Sequence, residues 1–182
     1  SYDIARYVSS SRLSGAIVEM GVCQGGSAAM MCFGSQISDE ELPEMYLFDS
    51  FEGLPHPKKI DYMPFMETDW GISQKDFDGS LSITGALKAS QEEAEHVIYE
   101  IVKYPRDKVK FYKGWFQDTV PSVIDQIEQV SILRLDADLY DSTIYCLRQF
   151  YPKVVRGGFV IIDDYGLNGC RAACEDFFAE IN

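Results

Sequence analysis

The sequence predicts an α/β fold, in which a doubly wound parallel β-sheet is covered by helices on both faces. Short apolar runs of strand length recur along the chain, and segments with apolar residues three and four positions apart lie between them. Polar residues or glycines follow each run. Alternating strands and helices favour parallel pairing with right-handed crossovers. The 182 residues are enough for one domain with a core, so we expect a single domain over residues 1–182.

Five apolar runs are predicted to form the strands of the sheet. In chain order they are AIVEM (16–20), MYLFD (45–49), VKFYKG (109–114), SILRLD (131–136) and GFVIID (158–163). Four segments are predicted to be helices from the spacing of their apolar residues. They are GGSAAMMCFGSQIS (25–38), SQEEAEHVIYEIV (90–102), PSVIDQIEQV (121–130) and STIYCLRQFYPKV (142–154).

One long connection, residues 55–90, is rich in aromatic residues and has little periodicity. A connection of this length in a compact domain is usually a functional lid or a disordered segment. We expect a lid that orders over a substrate, with Gly71, Gly79 and Gly85 as flexible points. Two roles are open for its large apolar side chains, which could line a substrate pocket or hold the loop in place: Tyr62, Met63, Phe65 and Trp70.

The formal net charge of −13 argues against a nucleic-acid partner and against an anionic membrane surface, because both would be repelled. A small molecule is the expected partner, and a homo-oligomer is compatible with the sequence. The five cysteines are scattered and form no CxxC pair, so they indicate neither a disulfide framework nor a zinc site. They predict buried thiols in a reducing cytoplasm. His56 could touch a substrate, but a place in a solvated loop is favoured, and His96 is expected on the surface of a helix.

Polar residues follow the first two predicted strands, where an open parallel sheet binds its ligands. In EMGVCQGGS, Glu19 ends the first strand and glycines open the next helix. The glycines allow a tight turn close to a ligand. Cys23 stands where GxGxxG requires its second glycine, which weakens a dinucleotide interpretation. Asp49 ends the second strand and could bind a ribose diol, or could serve as a turn or cap residue.

Acidic residues follow the fourth and fifth predicted strands, in LRLDADLYDST and FVIIDDYG. If these strands are neighbours, Asp136, Asp163 and Asp164 share one rim, where their repulsion favours a bound cation. Oxygen-only ligands favour Mg²⁺, Mn²⁺ or Ca²⁺ over Zn²⁺. Asp136 and Asp138 would share a face of a strand-like stretch. In the alternative reading, Asp141 caps the next helix and the other acids of that motif occupy a loop.

Five motifs in order, VEMGVCQGGS, LFDSFEGLP, KGWFQDTVP, LRLDADLYDST and GGFVIIDDYG, resemble those of the macrocin O-methyltransferase family. They span residues 18–166. Members of this family are metal-dependent enzymes that methylate sugar hydroxyls of natural products, as in antibiotic biosynthesis. The resemblance implies a Rossmann-like sheet of the class I methyltransferase type, with S-adenosylmethionine as the methyl donor. GWFQDTVP is also similar to the adenine-side turn of catechol O-methyltransferase.

The resemblance also implies roles for individual residues. The methionine part of the donor is expected near Glu19, Gly21 and Ser27, its ribose at Asp49, and its adenine near Trp115, Phe116 and Gln117. Three further residues are expected to bind the donor: Gly25, Ser50 and Asp136. Asp136, Asp163 and Asp164 match the metal-binding positions, and Asp138 matches the proposed general base. The acceptor would be a hydroxyl of a small molecule, most simply a natural-product sugar.

The sequence departs from the family pattern after the fifth strand. Family members carry two further strands there, which form an antiparallel hairpin, whereas this sequence ends at Asn182. We therefore expect a methyltransferase domain that is incomplete at both ends and lacks the final strands. Two other function classes stay open: a nicotinamide-dependent oxidoreductase, and a binding module without catalysis on the same fold.

Overall fold

The computed structural model describes residues 1–37 and 41–181. Its sheet has five strands, all parallel, in the order β3-β2-β1-β4-β5. They are β1 (Ala16–Met20), β2 (Met45–Asp49), β3 (Val109–Lys113), β4 (Val130–Leu135) and β5 (Val154–Ile162). The chain winds outward from β1 to β3 and returns to β4 beside β1, so the strand order reverses between β1 and β4. The predicted doubly wound parallel sheet is confirmed.

Seven α-helices lie among the described residues. They are α1 (Tyr2–Ser10), α2 (Gly26–Ser35), α3 (Pro64–Thr68), α4 (Gln91–Glu95), α5 (Phe116–Thr119), α6 (Tyr140–Phe150) and α7 (Asn168–Ile181). A π-helix, His96–Ile101, continues α4 directly. Three of the four predicted helices are therefore present as α2, α4 with its continuation, and α6. Residue 38, at the end of the predicted first helix, lies outside the described residues.

The core has two halves, one on each face of the sheet. Ile17 and Leu47 pack with α1, α2 and α4 on one face. Val18 and Phe48 pack with α6 and α7 on the other face. Neighbouring residues of a strand point to opposite faces, so both faces of β1 and β2 are apolar. Burial on both faces explains why these strands read as continuous apolar runs rather than as alternating ones.

The helix predicted for PSVIDQIEQV is wrong. Two 3₁₀ turns, Val120–Ser122 and Ile124–Gln126, occupy the segment, and β4 begins at Val130. Two apolar residues of this segment, Val123 and Ile127, are nevertheless buried, as is Val120 just before it, whereas Ile124 is half-buried. A 3₁₀ turn repeats every three residues, so it can bury the same positions as an α-helix. The sequence spacing therefore identified the buried side and not the helix type.

The long connection has a small core of its own. Leu54, Ile72 and Ala86 are buried together, with Trp70 and Phe77 packed against them. Phe65 also packs edge-on against Trp70, with ring centroids 5.0 Å apart. The three glycines of this segment have positive φ: Gly71, Gly79 and Gly85. The aromatic residues thus hold the segment in place, which is one of the two roles left open for them.

No helix among the described residues is long and apolar enough to cross a membrane. The five cysteines are free thiols. Cys23 is exposed, and the other four are buried.

Candidate active site

The ends of β2, β1, β4 and β5 lie side by side at one edge of the sheet. The backbone N–H of Gly21 donates to the carbonyl of Phe48 over 2.8 Å, and that of Asp136 donates to Met20 over 2.8 Å. The N–H of Asp163 donates to the last residue of β4 over 2.9 Å. The polar residues that follow these strands therefore share the edge where strand order reverses, which is where open α/β sheets bind ligands.

The turn between β1 and α2 is fixed by two close approaches that only glycine permits. Gly21 has a φ of +92°, and a Cβ there would lie 1.8 Å from the carbonyl oxygen of Asp136. Gly25 has a φ of +81°, and a Cβ there would lie 2.9 Å from the Cα of Ala94 in α4. Ser27 lies half-buried in the first turn of α2. The glycines thus allow the turn to contact β4 and α4 directly.

Asp49 holds the glycine turn against the end of β2. Its Oδ2 accepts hydrogen bonds from the backbone N–H groups of Val22 and Cys23, each over 2.8 Å. Its Oδ1 accepts one from Phe51 over 2.7 Å. These contacts are those of a turn residue, the alternative weighed for Asp49. A carboxylate has about four acceptor positions, so a further hydrogen bond to a ligand is compatible with them.

Next to Asp49, the ends of β2 and β3 supply the remaining predicted donor-site residues. The Ser50 hydroxyl donates to the carbonyl of Gly53 over 2.9 Å, which closes the turn after β2. Trp115 is the N-cap residue of α5, and Phe116 and Gln117 form its first turn. Ser50 therefore lies one strand away from the glycine turn, after β2, and the residues around Trp115 lie two strands away, after β3.

Beneath the turn, Arg134 forms ion pairs with three carboxylates. It is only 3% exposed. Its guanidinium donates to Glu19 Oε1, to Asp136 Oδ2 and to Asp163 Oδ1, each over 2.8 Å. Burial raises the pKa of Glu19 to about 8, although Arg134 acts in the opposite direction. Glu19 is fully buried and does not line the cavity at this edge of the sheet, whereas the sequence predicted that it contacts the donor.

Three carboxylates converge above this ion-pair network. Asp136, Asp138 and Asp164 each offer an oxygen within 4.8 Å of the others. Burial and the neighbouring carboxylates raise the pKa values of Asp138 and Asp164. Two of the predicted metal ligands, Asp136 and Asp164, are therefore together. The third, Asp163, contacts Arg134 instead, and Asp138 completes the group.

Asp138 reaches this group through a tight turn. β4 ends at Leu135, and Asp138 has a φ of +55°, which is uncommon for a residue with a side chain. The N–H of Leu139 donates to the carbonyl of Ala137 across this turn. The strand-like geometry predicted for Asp136 and Asp138 is therefore wrong. The two carboxylates meet because the chain turns after β4.

The alternative role for Asp141, capping α6, is also wrong. The N-cap residue of α6 is Leu139, and no side chain of its own caps the helix. Asp141 instead pairs with Lys58 of the long connection, over 2.7 Å. The acceptor for the first N–H of α6 is Asp61, whose Oδ1 lies 2.7 Å from the nitrogen of Tyr140. This contact has no local sequence signal, because its partners are far apart in the chain.

A cavity of about 590 Å³ opens between the strand ends, the long connection and α6. Its wall includes eight of the predicted site residues: Gly21, Asp49, Ser50, Trp115, Phe116, Gln117, Asp136 and Asp138. The other predicted residues lie behind or beside the wall: Glu19, Gly25, Ser27, Asp163 and Asp164. The long connection and α6 add residues that the sequence did not single out, among them Lys58, Asp61, Leu81, Leu87, Ile144 and Tyr145.

His56 also lines the cavity, which corrects its expected place in a solvated loop. Its side chain is 16% exposed, and its Nδ1 lies 3.1 Å from Asp78. His96 is exposed on its helix, as predicted.

The site can hold an oxygen-liganded cation and an elongated small molecule. The three converging carboxylates form an oxygen-only donor set, and burial and neighbouring carboxylates raise the pKa values of Asp138 and Asp164, which fits Mg²⁺, Mn²⁺ or Ca²⁺. The cavity runs from the glycine turn, past Asp49, to the aromatic residues of α5. Its wall there combines backbone close to the ligand, a carboxylate and flat apolar surfaces, and this fits a nucleoside linked to an amino acid.

The chain matches known proteins along nearly its whole length. The sequence model of the macrocin O-methyltransferase (TylF) family matches residues 2–182. A 4'-O-methyltransferase of Streptomyces olivaceus, which acts on 8-demethyl-8-(2,3-dimethoxy-alpha-L-rhamnosyl)-tetracenomycin C by its name, is 33% identical over 163 residues, covering 90% of this chain and 58% of that protein. Demethyldecarbamoylnovobiocin O-methyltransferase of Streptomyces niveus is 30% identical over 171 residues, covering 92% of this chain and 60% of that protein.

Solved structures agree with these matches. The O-methyltransferase NovP superposes with a TM-score of 0.75 at 29% identity, over 99% of this chain and 69% of that chain. The calicheamicin methyltransferase CalS11 superposes with a TM-score of 0.72 at 18% identity, which shows a shared fold. The chain spans 58% and 60% of the length of the two Streptomyces relatives. The chain belongs to the macrocin O-methyltransferase family.

Proposed function

We propose that this protein is an S-adenosylmethionine-dependent O-methyltransferase that uses a divalent metal ion to methylate a hydroxyl of a natural-product sugar. The observation that carries the proposal is the convergence of Asp136, Asp138 and Asp164, two of which, Asp136 and Asp138, line one cavity together with Gly21 of the glycine turn. Membership of the family supports the reaction class. The names of the relatives, a rhamnosyl-tetracenomycin methyltransferase and a demethyldecarbamoylnovobiocin methyltransferase, support the acceptor class.

The donor would lie along the wall formed by the ends of β1, β2 and β3. Gly21 leaves room there for close contact with the backbone of the turn. Asp49 would accept a hydrogen bond from a ribose hydroxyl with the acceptor capacity that the turn leaves free. Trp115 and Phe116 would contact the adenine ring. Glu19 and Arg134 would act from below, because their ion pair holds the strand ends in register.

The residues that would hold the metal ion are Asp136 and Asp164, with Asp163 as the third predicted ligand beside Arg134. A bound divalent ion lowers the pKa of a coordinated hydroxyl and orients it for reaction. Magnesium commonly keeps coordination positions for substrate oxygens, which suits the neighbouring hydroxyls of a sugar. Arg134 balances part of the charge of this acidic group through its contacts with Asp136 and Asp163.

Asp138 would accept the proton that the acceptor hydroxyl loses as its oxygen gains the methyl group. A sugar hydroxyl is scarcely ionised at neutral pH, so a nearby base is needed. Asp138 lines the cavity and is 9% exposed. Its placement in a fixed turn suits a residue that must meet one oxygen of the substrate.

Residues 55–90 would form a lid over the acceptor. Five residues of this segment lie in the cavity wall that also contains Asp136 and Asp138: Pro55, His56, Lys58, Leu81 and Leu87. A cover of this kind would exclude water from the reacting sulfonium and hydroxyl.

The proposal is tested by incubating the protein with methyl-labelled S-adenosylmethionine, Mg²⁺ and a panel of rhamnosylated natural products. We expect label in the glycoside, and calorimetric binding of S-adenosylhomocysteine but not of NAD. Binding of NAD instead would favour the oxidoreductase. Binding of S-adenosylhomocysteine without methyl transfer to any hydroxyl would favour the non-catalytic module.

A further inference from the structure

Asp61 is a buried carboxylate of the long connection, and it binds two separate stretches of backbone. It is 2% exposed. Its Oδ2 accepts a hydrogen bond from the N–H of Lys58 over 2.6 Å, within the same segment. Its Oδ1 accepts one from the N–H of Tyr140 over 2.7 Å, at the first residue of α6. Burial of a carboxylate is costly unless its oxygens are hydrogen-bonded, so both contacts matter.

The contact with Tyr140 serves a helix that lacks a side-chain cap of its own. The first N–H groups of a helix have no partner within the helix, and the partial positive charge there favours an anion. Asp61 supplies both a hydrogen-bond acceptor and a negative charge at that position. The long connection, referred to below as the insertion, therefore provides the N-terminal cap of α6 from a distant part of the chain.

The residues just before this cap form the turn that carries Asp138. Asp138 is held in a left-handed conformation with a φ of +55°. Such a conformation persists only where its surroundings fix it. On one side, the N–H of Asp138 donates to Asp164 Oδ2 over 3.3 Å. On the other side, two residues along the chain, Asp61 fixes the N–H of Tyr140.

The start of α7 closes around the same carboxylate. A Cβ on Gly169 would lie 1.8 Å from Asp61 Oδ1, so only glycine fits there. The Asn168 side-chain amide donates to the carbonyl of Tyr62 over 3.0 Å. Asp61 therefore sits where the insertion, α6 and α7 meet, next to the turns that follow β4 and β5.

We propose that Asp61 is a positioning residue for Asp138: the insertion fixes the proposed base through the Asp61–Tyr140 hydrogen bond. The inference rests on the proposed role of Asp138 and adds a second function for the insertion. Besides covering the cavity, the insertion completes the turn that aims the base. Loss of this hydrogen bond frees the turn and slows proton removal, while the donor site on β1 to β3 is unaffected.

Asp76 provides a matched control within the same insertion. Both aspartates are the third residue of a 3₁₀ turn and accept a hydrogen bond from the N-cap N–H of that turn, from Lys58 for Asp61 and from Ser73 for Asp76. Asp76 is half-exposed, and its hydrogen bond with the Ser73 N–H stays within its own turn. Replacing either residue removes a turn cap, but only Asp61 also caps α6.

The test compares Asp61→Ala, Asp61→Asn and Asp76→Ala with the parent protein. For Asp61→Ala we expect kcat to fall about tenfold or more, with affinity for S-adenosylhomocysteine unchanged within twofold. Amide hydrogen exchange at Tyr140 should accelerate. Asp61→Asn keeps an acceptor oxygen and should therefore recover part of kcat. It replaces Asp61→Ala in the test if the alanine variant does not fold. Asp76→Ala should match the parent in both measurements.

A double variant separates positioning from a general loss of structure. In the Asp138→Asn background, Asp61→Ala should cause no further fall in kcat, because Asp61 acts through Asp138. A full additional loss there, or a normal kcat in Asp61→Ala with accelerated exchange at Tyr140, would overturn the inference while the proposed function stands. Normal turnover in Asp138→Asn alone would instead refute the role of the base.

Discussion

Arg134 and Glu19 face each other on the neighbouring parallel strands β4 and β1, and the Arg134 guanidinium donates to Glu19 Oε1 over 2.8 Å. Both residues are buried below the site. The same guanidinium contacts Asp136 and Asp163 at the ends of β4 and β5. One buried cation therefore connects the strand that opens the glycine turn with the two strands that carry the acidic group.

Replacing Arg134 alone should be severely destabilising. Arg134→Met leaves the carboxylate of Glu19 buried without its cation, and breaking a buried ion pair in this way typically costs about 3 to 5 kcal/mol. The double variant Glu19→Gln/Arg134→Met removes both charges and should recover a large part of that loss. Denaturant unfolding of the parent, the single variant and the double variant measures these differences in the free energy of unfolding. Equal stability of the single and double variants would show that Glu19 does not depend on this pair.

Gly21 and Gly26 form a matched pair for the close approach between the turn and β4. Gly21→Ala places a Cβ 1.8 Å from the Asp136 carbonyl oxygen at a positive φ, whereas a Cβ at Gly26 meets nothing within 4 Å. The left-handed backbone alone should cost Gly21→Ala about 1 to 2 kcal/mol, before the clash is added. Gly26→Ala should be neutral or stabilising by up to about 1 kcal/mol. Similar unfolding free energies for the two variants would contradict this account of the turn.

Much of the sheet could be predicted from sequence because its strands are buried on both faces. Runs such as AIVEM and MYLFD end where the structure ends β1 and β2. Strand ends are also where the polar residues stand, so the edge that carries the site could be predicted. The type of helix after β3 could not be predicted from sequence. The spacing of Val120, Val123 and Ile127 is compatible with 3₁₀ turns as well as with an α-helix.

The grouping of the carboxylates could be predicted only in part. Parallel pairing of β4 with β5 brings Asp136 and Asp164 to one edge, and this follows from the sequence. The sequence does not predict that the third carboxylate of the group is Asp138 rather than Asp163. This depends on a turn of left-handed conformation and on Arg134, whose side chain takes Asp163. Such choices are made by tertiary contacts that no local pattern records.

Cys23 should report donor binding without any turnover. It is the exposed cysteine, it lies in the cavity wall, and its N–H is held by Asp49. Burial raises the pKa of the Cys23 thiol, so its distinction from the other cysteines rests on exposure: the other four are buried and should react slowly. We expect one fast-reacting thiol with a maleimide reagent, absent in Cys23→Ser and slowed by S-adenosylhomocysteine. Labelling of Cys23 at the same rate with saturating ligand would place the donor elsewhere.

The lid assignment predicts a change in proteolysis at the lysines of the long connection, Lys58, Lys59, Lys75 and Lys88. Trypsin should cut there more slowly when S-adenosylhomocysteine, Mg²⁺ and acceptor are all present, because an ordered segment exposes less backbone. Cleavage at Arg106 and Lys108, which precede β3 at the other edge of the sheet, serves as the internal control. Unchanged cleavage at all these sites would rule out ordering of the segment by ligands.

The most direct test of the metal and base assignment is methyl-transfer turnover measured against Mg²⁺ concentration for the parent, Asp136→Asn and Asp138→Asn. The parent should be inactive in excess chelator and recover with Mg²⁺. Asp136→Asn should lose the response to Mg²⁺. Asp138→Asn should keep the same half-saturating Mg²⁺ concentration with turnover slower by about 10² to 10⁴-fold, as for a lost general base. Full turnover of the parent in excess chelator would contradict the account.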